Sequence, residues 1–292
     1  MRSLGLRPIL VKRFFRITNA CSQYEQRLEF AAVNAPGPRT GDAYVQSFAR
    51  GLSVIRAFSA ERPSMTLSEV AATAGLTRAG ARRILLTLVQ LGYVSVEERK
   101  FHLTARILDL GFAYLSSMPF WNLAEPIMEA LVEEVHESSS ASVLEGTDIV
   151  YVLRVPTHKI MTITLGPGSR LPAYCTSMGR MLLSGLDDAE VDAILRRSKI
   201  EARTPWTVTD RGELRKLIVE VRARGWALVN QELEEGLVSI SAPIRERNGR
   251  ILAALNVSGQ ANRTSSAQVV KRFLPPLRAA AERLSDLLRR RS

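Results

Sequence analysis

The chain has 292 residues, of which 46% are hydrophobic, and it carries a formal net charge of +11. This length favours two domains with buried cores. Its composition excludes integral membrane proteins and disulfide-stapled secreted domains, because no apolar run approaches the roughly 18–20 residues of a membrane-spanning helix and the two cysteines, Cys21 and Cys175, give no disulfide framework. We expect a cytoplasmic protein without a membrane partner.

The positive charge is concentrated in the first part of the chain. Residues 1–120 contain 16 Lys and Arg against 8 Asp and Glu, a net +8, whereas the remainder contains 24 against 21, a net +3. Such an excess suits a domain that neutralises nucleic-acid phosphates. The alternative is a basic surface that serves only solubility.

Residues 1–43 are predicted to form a poorly ordered basic extension. Their longest apolar stretch, Pro8 to Val11, is too short for a secretory signal and is interrupted at once by Lys12 and Arg13. The segment APGPRTG, residues 35–41, is a natural hinge before the folded part.

Residues 44–104 have the pattern of a winged helix-turn-helix domain. A first helix over about Val45–Phe58 is amphipathic, and its expected buried residues are Phe48, Ala49, Leu52 and Ile55. Thr66 and Glu69 form a capping box at the start of a second helix. Gly75 supplies the left-handed residue that ends this helix, and Thr77 caps the third helix.

The third helix is predicted to enter the DNA major groove. One side of it is apolar and the opposite side is small or basic, with Arg78 at the margin. Arginine suits both guanine recognition and phosphate binding. A two-stranded wing follows around the turn Glu97–Lys100. The predicted buried residues are Ala81, Ile84, Leu85, Leu88 and Leu91 for the helix, and Val94, Val96, Phe101 and Leu103 for the wing. The predicted DNA-binding residues are Thr66, Thr77, Arg78, Ala79, Arg82, Arg83, Arg99 and Lys100.

Residues 105–122 are predicted to form a linker helix. The run ARILDLGFAYLSSMPFWNL leaves little polar face, so the helix must be covered on most sides. We expect it to pack against a second copy of itself in a homodimer, and dimers can pair further into tetramers. The alternative is that it docks on its own C-terminal domain.

Residues 123–292 alternate between helices and strands, which predicts one sheet flanked by helices and an α+β fold overall. The expected strands are Ala141–Leu144, Ile149–Val155, Ile160–Leu165, Trp226–Asn230, Leu237–Ile244 and Ile251–Ser258. The expected helices are Leu123–Val135, one entered at Thr176 and Ser177, Asp187–Arg196, Asp210–Arg224 and Ser266–Arg290, and GPGSR, Gly166–Arg170, is expected to be a turn.

The sequence gives little support for catalysis. Cys175 lies near a helix start that can activate a thiol, but His102, His136 and His158 fall in unrelated segments and none has an acid placed to orient it. No metal-ligand spacing occurs, so no metal and no cofactor are expected. The run QELEEG, Gln231–Gly236, is a candidate carboxylate pair and is more simply a solvated bend between strands. We interpret Cys175 as a small buried residue and the protein as a non-enzyme.

A small-acid site is the functional hypothesis for this half. The helix that starts with Ser177, Met178 and Gly179 offers backbone N–H groups to a carboxylate. Ser239, Asn256 and Ser258 are small polar strand residues that can lie beside it. Alternatively, they are ordinary strand-end residues.

The chain from about Tyr44 to Leu288 resembles the IclR family of bacterial transcriptional regulators. The resemblance rests on YVQSFARGLSVIRAFS, GLTRAGARRILLTLVQLGYV, SRLPAYCTSMGRMLLSGL, GWALVNQELEEGLVSISAPI and ILAALNVSG, in that order. It implies a winged helix-turn-helix, a linker helix and a GAF-like effector-binding domain. YVQSFARGL, IVYVLRVPTHKIMTI and SRLPAYCTSMGR further resemble the branch that regulates the β-ketoadipate pathway. That branch responds to protocatechuate, β-ketoadipate or 4-hydroxybenzoate.

The resemblance also implies where an effector binds. The residues that it transfers to this chain are Ser177, Met178, Gly179, Val229, Asn230, Gln231, Glu232, Ser239, Asn256 and Ser258. Several family members have an acidic residue at the position of Val229 and a cysteine at that of Ser239, so the ligand is expected to differ from glyoxylate or pyruvate. Arg154 and Arg170 are further possible carboxylate partners.

The expected function is that of a regulator that binds double-stranded DNA, at a palindromic operator, under control of a small organic acid from aromatic catabolism. Two alternatives come from other classes of protein. One is an enzyme that modifies a small acid with Cys175 as nucleophile. The other is a docking module whose winged helix binds protein instead of DNA.

Overall fold

The computed structural model describes residues 44–59, 61–117, 120–157 and 165–291. The expected extension, residues 1–43, lies outside them, and so does the strand expected over Ile160–Leu165 except for Leu165. Internal contacts divide the chain into two units between Tyr114 and Leu115. In the described part of the chain, no helix is both long and apolar enough to cross a membrane.

The N-terminal unit is a three-helix domain with a small antiparallel sheet in the strand order β1-β3-β2. Its elements are α1 (Gln46–Arg56), β1 (Ser64–Thr66), α2 (Leu67–Thr73), α3 (Arg78–Gln90), β2 (Val94–Glu97) and β3 (Lys100–Leu103). The short strand β1 was not predicted from the sequence; its three residues pair with β3 directly before the capping box of α2. This arrangement is a winged helix-turn-helix.

The core of the N-terminal unit confirms most of the predicted apolar positions. Leu85, Leu88, Val94 and Phe101 are buried together with residues of α1, β1 and α2. The expectation that Phe48 belongs to this core is wrong, because Phe48, in the first turn of α1, is 68% exposed. Leu91 is also exposed, because α3 ends at Gln90 and Leu91 is its C-cap.

The wing has a tight turn at its tip. Glu97 and Lys100 are paired residues of β2 and β3, which leaves a two-residue loop formed by Glu98 and Arg99. Both loop residues have positive φ, 48° and 67°, as a two-residue hairpin turn of the primed type requires. The predicted turn over Glu97–Lys100 is therefore confirmed. Val96, expected to be buried, is exposed near this tip.

A helical segment follows the wing. It consists of a 3-10 turn, Ala105–Ile107, and the helix α4, Leu108–Ser117. Leu108, Leu110 and Phe112 are each more than half exposed in the single chain. These apolar side chains have no cover within the part of the chain that the structure describes.

The C-terminal unit contains a six-stranded antiparallel sheet in the order β6-β5-β4-β9-β8-β7. The strands are β4 (Ser138–Glu145), β5 (Asp148–Val155), β6 (Arg170–Pro172), β7 (Ala227–Asn230), β8 (Leu237–Arg245) and β9 (Ile251–Gln260). The helices are α5 (Phe120–Val135), α6 (Ser177–Leu183), α7 (Asp188–Arg197), α8 (Arg211–Arg224) and α9 (Ser266–Arg291). The strand β6 was not predicted; it directly follows the turn that was correctly expected at GPGSR.

The two faces of this sheet differ in polarity. Val238, Ile240 and Ala242 of β8 alternate with Ser239 and Ser241. The apolar members join residues of β4, β9, α5 and α9 in the main hydrophobic core. The small polar members fall on the opposite face, because side chains alternate along a strand, and α6 packs against β8 and β9 there. The alternation thus separates a structural face from a polar face.

Candidate DNA interface and effector cavity

The recognition helix α3 exposes a basic surface. Thr77 caps it by accepting a hydrogen bond from the Gly80 N–H at 3.1 Å. Arg78, Ala79, Arg82 and Arg83, which the sequence predicted as DNA-binding, are all exposed. Leu86 is exposed as well and shares the same side of the helix at 100° per residue. The sequence analysis did not single out Leu86, although the spacing from Arg82 and Arg83 places it between them.

The guanidinium groups of α3 and of the wing tip are free, whereas those of Arg62 and Arg106 in the same unit are not. The side chains of Arg78, Arg82, Arg83 and Arg99 make no hydrogen bond or ion pair with another described residue. By contrast, Arg106 donates to the Leu91 carbonyl at 2.8 Å and lies over the Tyr93 ring. Unpaired guanidinium groups retain their full capacity to bind phosphate or guanine.

One of the remaining predicted DNA-binding residues, Thr66, has a partner within the domain. Thr66 accepts from the Glu69 N–H and donates to the Glu69 carboxylate at 2.8 Å, so its side chain is used by the capping box. The Glu69 carboxylate accepts hydrogen bonds from the Thr66 N–H and from the Thr66 hydroxyl, and these bonds, in that order, lower its pKa. The nearby Lys100 ammonium adds to the effect. Lys100 is exposed at the base of the wing turn. The DNA contacts of all these residues stay a prediction.

A cavity lies on the polar face of the C-terminal sheet, below the start of α6. Its empty volume is about 350 Å³, including the part that is open to solvent. One side is a polar seam formed by Ser177, Ser239, Asn256 and Ser258. The other sides are formed by Tyr151, Leu171, Cys175, Thr176, Met178, Val229, Leu233 and Leu237. No lining side chain carries a formal charge when Tyr151 and Cys175 are protonated.

The polar seam is a hydrogen-bonded network. Asn256 Nδ2 donates to Ser239 Oγ at 3.0 Å and to Ser258 Oγ at 2.8 Å. Ser258 Oγ donates to Ser239 Oγ at 3.2 Å, and Ser239 Oγ lies 2.7 Å from Ser177 Oγ. On its far side, Asn256 Oδ1 accepts from the Ser140 N–H at 2.9 Å. The structure therefore brings together residues from α6, β8 and β9 that are as many as 81 positions apart in the chain.

Burial keeps the Tyr151 phenol and the Cys175 thiol of the cavity protonated. It raises the pKa of the Tyr151 phenol to about 12 and that of the Cys175 thiol to about 11. A nucleophilic cysteine needs the thiolate, so Cys175 lacks the property that made it a candidate nucleophile. The expectation that Cys175 is a small buried residue is confirmed, but its place in the cavity lining was not predicted.

Gly179 has a structural position and does not line the cavity. Its N–H, which was expected to be available to a ligand, already donates to Thr176 Oγ1 at 3.1 Å. A Cβ atom at this glycine would lie 2.2 Å from the Ala173 carbonyl oxygen. Gly179 thus allows α6 to approach the segment before it, and only Ser177 and Met178 of the predicted triplet face the cavity.

The three residues predicted after Val229 also lie away from the cavity lining. Asn230 is exposed at the end of β7. Gln231 accepts through its side-chain oxygen from the Gly236 N–H at 2.9 Å. Glu232 is buried, so the expectation of a solvated bend at Gln231–Gly236 is wrong there. The structure brings neither Gly179 nor these three residues together with the polar seam.

Glu232 forms a buried ion pair with Arg180. Two parallel hydrogen bonds join the guanidinium and the carboxylate at 2.6 and 2.7 Å, and the side chains are only 3% and 9% exposed. The carboxylate also accepts from the Val208 N–H, and Arg180 Nε donates to the Tyr174 carbonyl. The pair links α6 to the connection between β7 and β8. That connection also contains Leu233, which lines the cavity. No sequence spacing indicates it, because the partners are 52 residues apart.

Arg154 and Arg170, considered as carboxylate partners, do not line the cavity. Arg154 donates to Ser140 Oγ at 3.2 Å. Arg170 pairs with Glu145 and Asp148 at the edge of the sheet. Within the residues that the structure describes, no group of three or more His, Cys, Asp or Glu side chains is placed to hold a metal ion.

Comparison with known proteins identifies both units. Residues 47–98 match the IclR helix-turn-helix domain, and residues 112–286 match the C-terminal model of bacterial transcriptional regulators of the IclR type. The chain is 42% identical to the Pca regulon regulatory protein of Pseudomonas putida, over 85% of this chain and 86% of that protein. It is 33% identical to the p-hydroxybenzoate hydroxylase transcriptional activator of Acinetobacter baylyi, over 86% and 94%.

A solved structure supports the same assignment. An IclR homologue from Microbacterium hydrocarbonoxydans, crystallised with 4-hydroxybenzoate, matches with a TM-score of 0.74 and 26% identity, covering 84% of this chain and 100% of that one. The fold expected from the sequence, with a DNA-binding winged helix-turn-helix and a GAF-like effector domain, is confirmed, as is the resemblance to regulators of the β-ketoadipate branch. The chain belongs to the IclR family of bacterial transcriptional regulators.

Proposed function

We propose that this regulator binds a small organic acid of aromatic catabolism in the cavity of its C-terminal unit, and that this binding changes its affinity for operator DNA. The polar seam inside an otherwise apolar cavity is the observation that carries the proposal. An apolar lining with a few convergent polar groups is typical of small-molecule sites. The names of the similar proteins, which include the pca regulon, p-hydroxybenzoate hydroxylase and 4-hydroxybenzoate, favour protocatechuate, 4-hydroxybenzoate or β-ketoadipate.

We expect the regulator to act in the cytoplasm as a homodimer, or a pair of dimers, on a palindromic operator. The exposed apolar side chains of Leu108, Leu110 and Phe112 support this expectation, because an apolar patch of this kind is usually covered by another surface. A two-fold dimer presents two recognition helices to two half-sites of DNA. The effector shifts the operator affinity only if it binds one arrangement of the dimer more tightly than another.

The experiment is a calorimetric titration of the full chain with each of the three acids, followed by operator binding in their presence. One acid is expected to bind and to change the operator affinity. Ser239→Leu should abolish this response by filling the seam, while operator binding without effector is retained. Val219→Leu, at an exposed position of α8, is the control. A full response in Ser239→Leu would place the effector elsewhere.

The protein acts without catalysis in this proposal. The high pKa of Cys175, caused by burial, argues against a thiolate nucleophile. Cys175→Ala is expected to leave the effector response intact. Chemical turnover of any of the three acids by the wild type, absent from Cys175→Ala, would instead support the enzyme alternative.

A further inference from the structure

The direction of each hydrogen bond in the polar seam can be assigned from one fixed point. The Ser140 backbone N–H donates to Asn256 Oδ1 at 2.9 Å, and a backbone N–H can only donate. This contact therefore fixes which end of the Asn256 amide is oxygen and which is nitrogen. The Nδ2 group consequently faces the seam, where it donates to Ser239 Oγ and Ser258 Oγ.

The next hydrogen bonds follow from the capacity of a hydroxyl oxygen. Ser239 Oγ accepts from Asn256 Nδ2 and from Ser258 Oγ, and a hydroxyl has two acceptor lone pairs. Because both are used, the 2.7 Å contact with Ser177 Oγ must be a bond in which Ser239 donates. The hydroxyl hydrogen of Ser177 then remains without an acceptor among the described residues, and Ser177 lines the cavity.

We infer that Asn256 is a positioning residue that orients this hydroxyl chain so that Ser177 presents a hydrogen-bond donor to the effector. The site then selects a ligand that places an acceptor oxygen next to the Ser177 hydroxyl. In an organic acid this acceptor is a carboxylate oxygen. This inference rests on the proposed function of the cavity. It assigns Asn256 a different role from Ser177, because Asn256 acts through the serines and Ser177 contacts the ligand.

The neutral lining increases the importance of that one donor. With no charged side chain in the cavity wall, a bound carboxylate depends on neutral donors. A hydrogen bond to an ionised acceptor is roughly twice as strong as one between neutral groups. Loss of the Ser177 hydroxyl should therefore weaken an acid more than it weakens the corresponding neutral alcohol.

The test compares two ligands in five full-length proteins by calorimetry: the wild type, three single variants and one double variant. The acid is protocatechuate or 4-hydroxybenzoate, whichever binds the wild type more tightly, and the second ligand is the same ring with hydroxymethyl in place of carboxylate. Ser177→Ala should weaken the acid on the order of tenfold to hundredfold, and the alcohol less. Ser241→Ala is the matched control, because Ser241 is a buried hydroxyl on β8 that does not line the cavity.

The fourth protein, Asn256→Asp, tests the direction of the chain. An oxygen in place of Nδ2 obliges Ser239 and Ser258 to donate toward it, so Ser177 must donate to Ser239 and becomes an acceptor toward the cavity. The acid should lose at least as much affinity as in Ser177→Ala, whereas the alcohol, which can donate to Ser177, should keep its affinity. Because the new carboxylate also repels the acid, the decisive comparison is Asn256→Asp with and without Ser177→Ala. If Asn256 acts through Ser177, the added Ser177→Ala should not weaken the acid further, whereas repulsion alone would leave its full effect in place. A purely structural role of Asn256 would weaken both ligands equally.

The outcomes separate this inference from the proposed function. Unchanged acid affinity in Ser177→Ala, or equal weakening of acid and alcohol, would overturn the donor role of Ser177 while the effector cavity stands. Equal weakening of both ligands in Asn256→Asp would overturn the positioning role of Asn256. Failure of the wild type to bind either aromatic acid would overturn the aromatic effector together with the inference.

Discussion

The buried ion pair between Arg180 and Glu232 permits a quantitative test of how the effector domain is held together. Glu232→Gln keeps the shape of the side chain and removes its charge and one acceptor oxygen. The Arg180 guanidinium, 3% exposed, would then remain buried without a counter-charge. Removing one partner of a buried pair typically costs about 3–5 kcal/mol. For a unit of this size, that loss corresponds to a fall in melting temperature of roughly 6–20 °C.

Two further variants isolate the cause of that loss. Arg180→Met combined with Glu232→Gln removes the uncompensated charge. The groups then left unpaired, the Tyr174 carbonyl and the introduced amide nitrogen, are neutral and should cost less than the buried charge. Glu246→Gln breaks the exposed pair between Glu246 and Arg250 and should cost less than about 1 kcal/mol.

Scanning calorimetry of the full chain measures all three, because the pair lies in the C-terminal unit and affects the transition of that unit. The predicted order of stability is wild type, Glu246→Gln, the double variant and then Glu232→Gln. Equal losses in Glu232→Gln and Glu246→Gln would refute the reasoning, since they would mean that burial adds nothing to the pair.

Three other predictions concern separate parts of the molecule. Gly179→Ala should destabilise the C-terminal unit by about 3 kcal/mol or more, because its Cβ would overlap the Ala173 carbonyl. Thermal melting measures this loss. Gly166→Ala is the neutral control, because a Cβ atom at Gly166 would meet no atom within 4 Å. In a Cys21→Ser background, Cys175 should react slowly with iodoacetamide at pH 8 in the native protein, because its pKa is about 11. As pH rises above 9, the free energy of unfolding should also fall, since the thiol ionises in the unfolded chain before it ionises in the native protein. Fast alkylation of the native protein would contradict the raised pKa of Cys175. Arg82→Ala should cost roughly 1–3 kcal/mol of operator binding in a mobility-shift titration if Arg82 reads a base, and unchanged affinity would remove it from the interface.

Local signals predicted much of the fold. Thr66 and Glu69 are three residues apart and form the expected capping box, because such a motif needs only neighbouring backbone. The strand expected over Leu237–Ile244 is also present, within β8. The alternation of Ile240 and Ser241 between its two faces is a property of the strand itself.

The sequence was less informative about which faces have neighbours. Helical periodicity places Phe48 on the apolar side of α1 and Leu91 on that of α3, but it does not say how far the neighbouring elements extend. Both residues lie near helix ends, beyond the packed core, and are exposed. Periodicity predicts which face of a helix a side chain lies on, whereas burial depends on whether another element packs against that face.

The candidate site was predictable only in part. Ser177, Ser239, Asn256 and Ser258 were identified from residue type and family resemblance, and they do meet at one cavity. The role of Glu232 was not predictable, because its partner Arg180 lies on another element and is chosen by the tertiary fold. A run of acidic residues usually indicates a solvated surface, and one buried partner reverses that interpretation.

The most direct test of the whole account is the salt dependence with which the full-length protein binds the DNA upstream of its own gene. The account predicts tight binding in dilute buffer and a linear fall of log affinity with log salt concentration. Arg99→Ala should reduce the slope by about one unit if the wing tip meets a phosphate, whereas Arg250→Ala, on the effector domain, should leave it unchanged. Absence of binding to that fragment even at very low salt would contradict the claim that the free arginines of α3 and the wing recognise DNA.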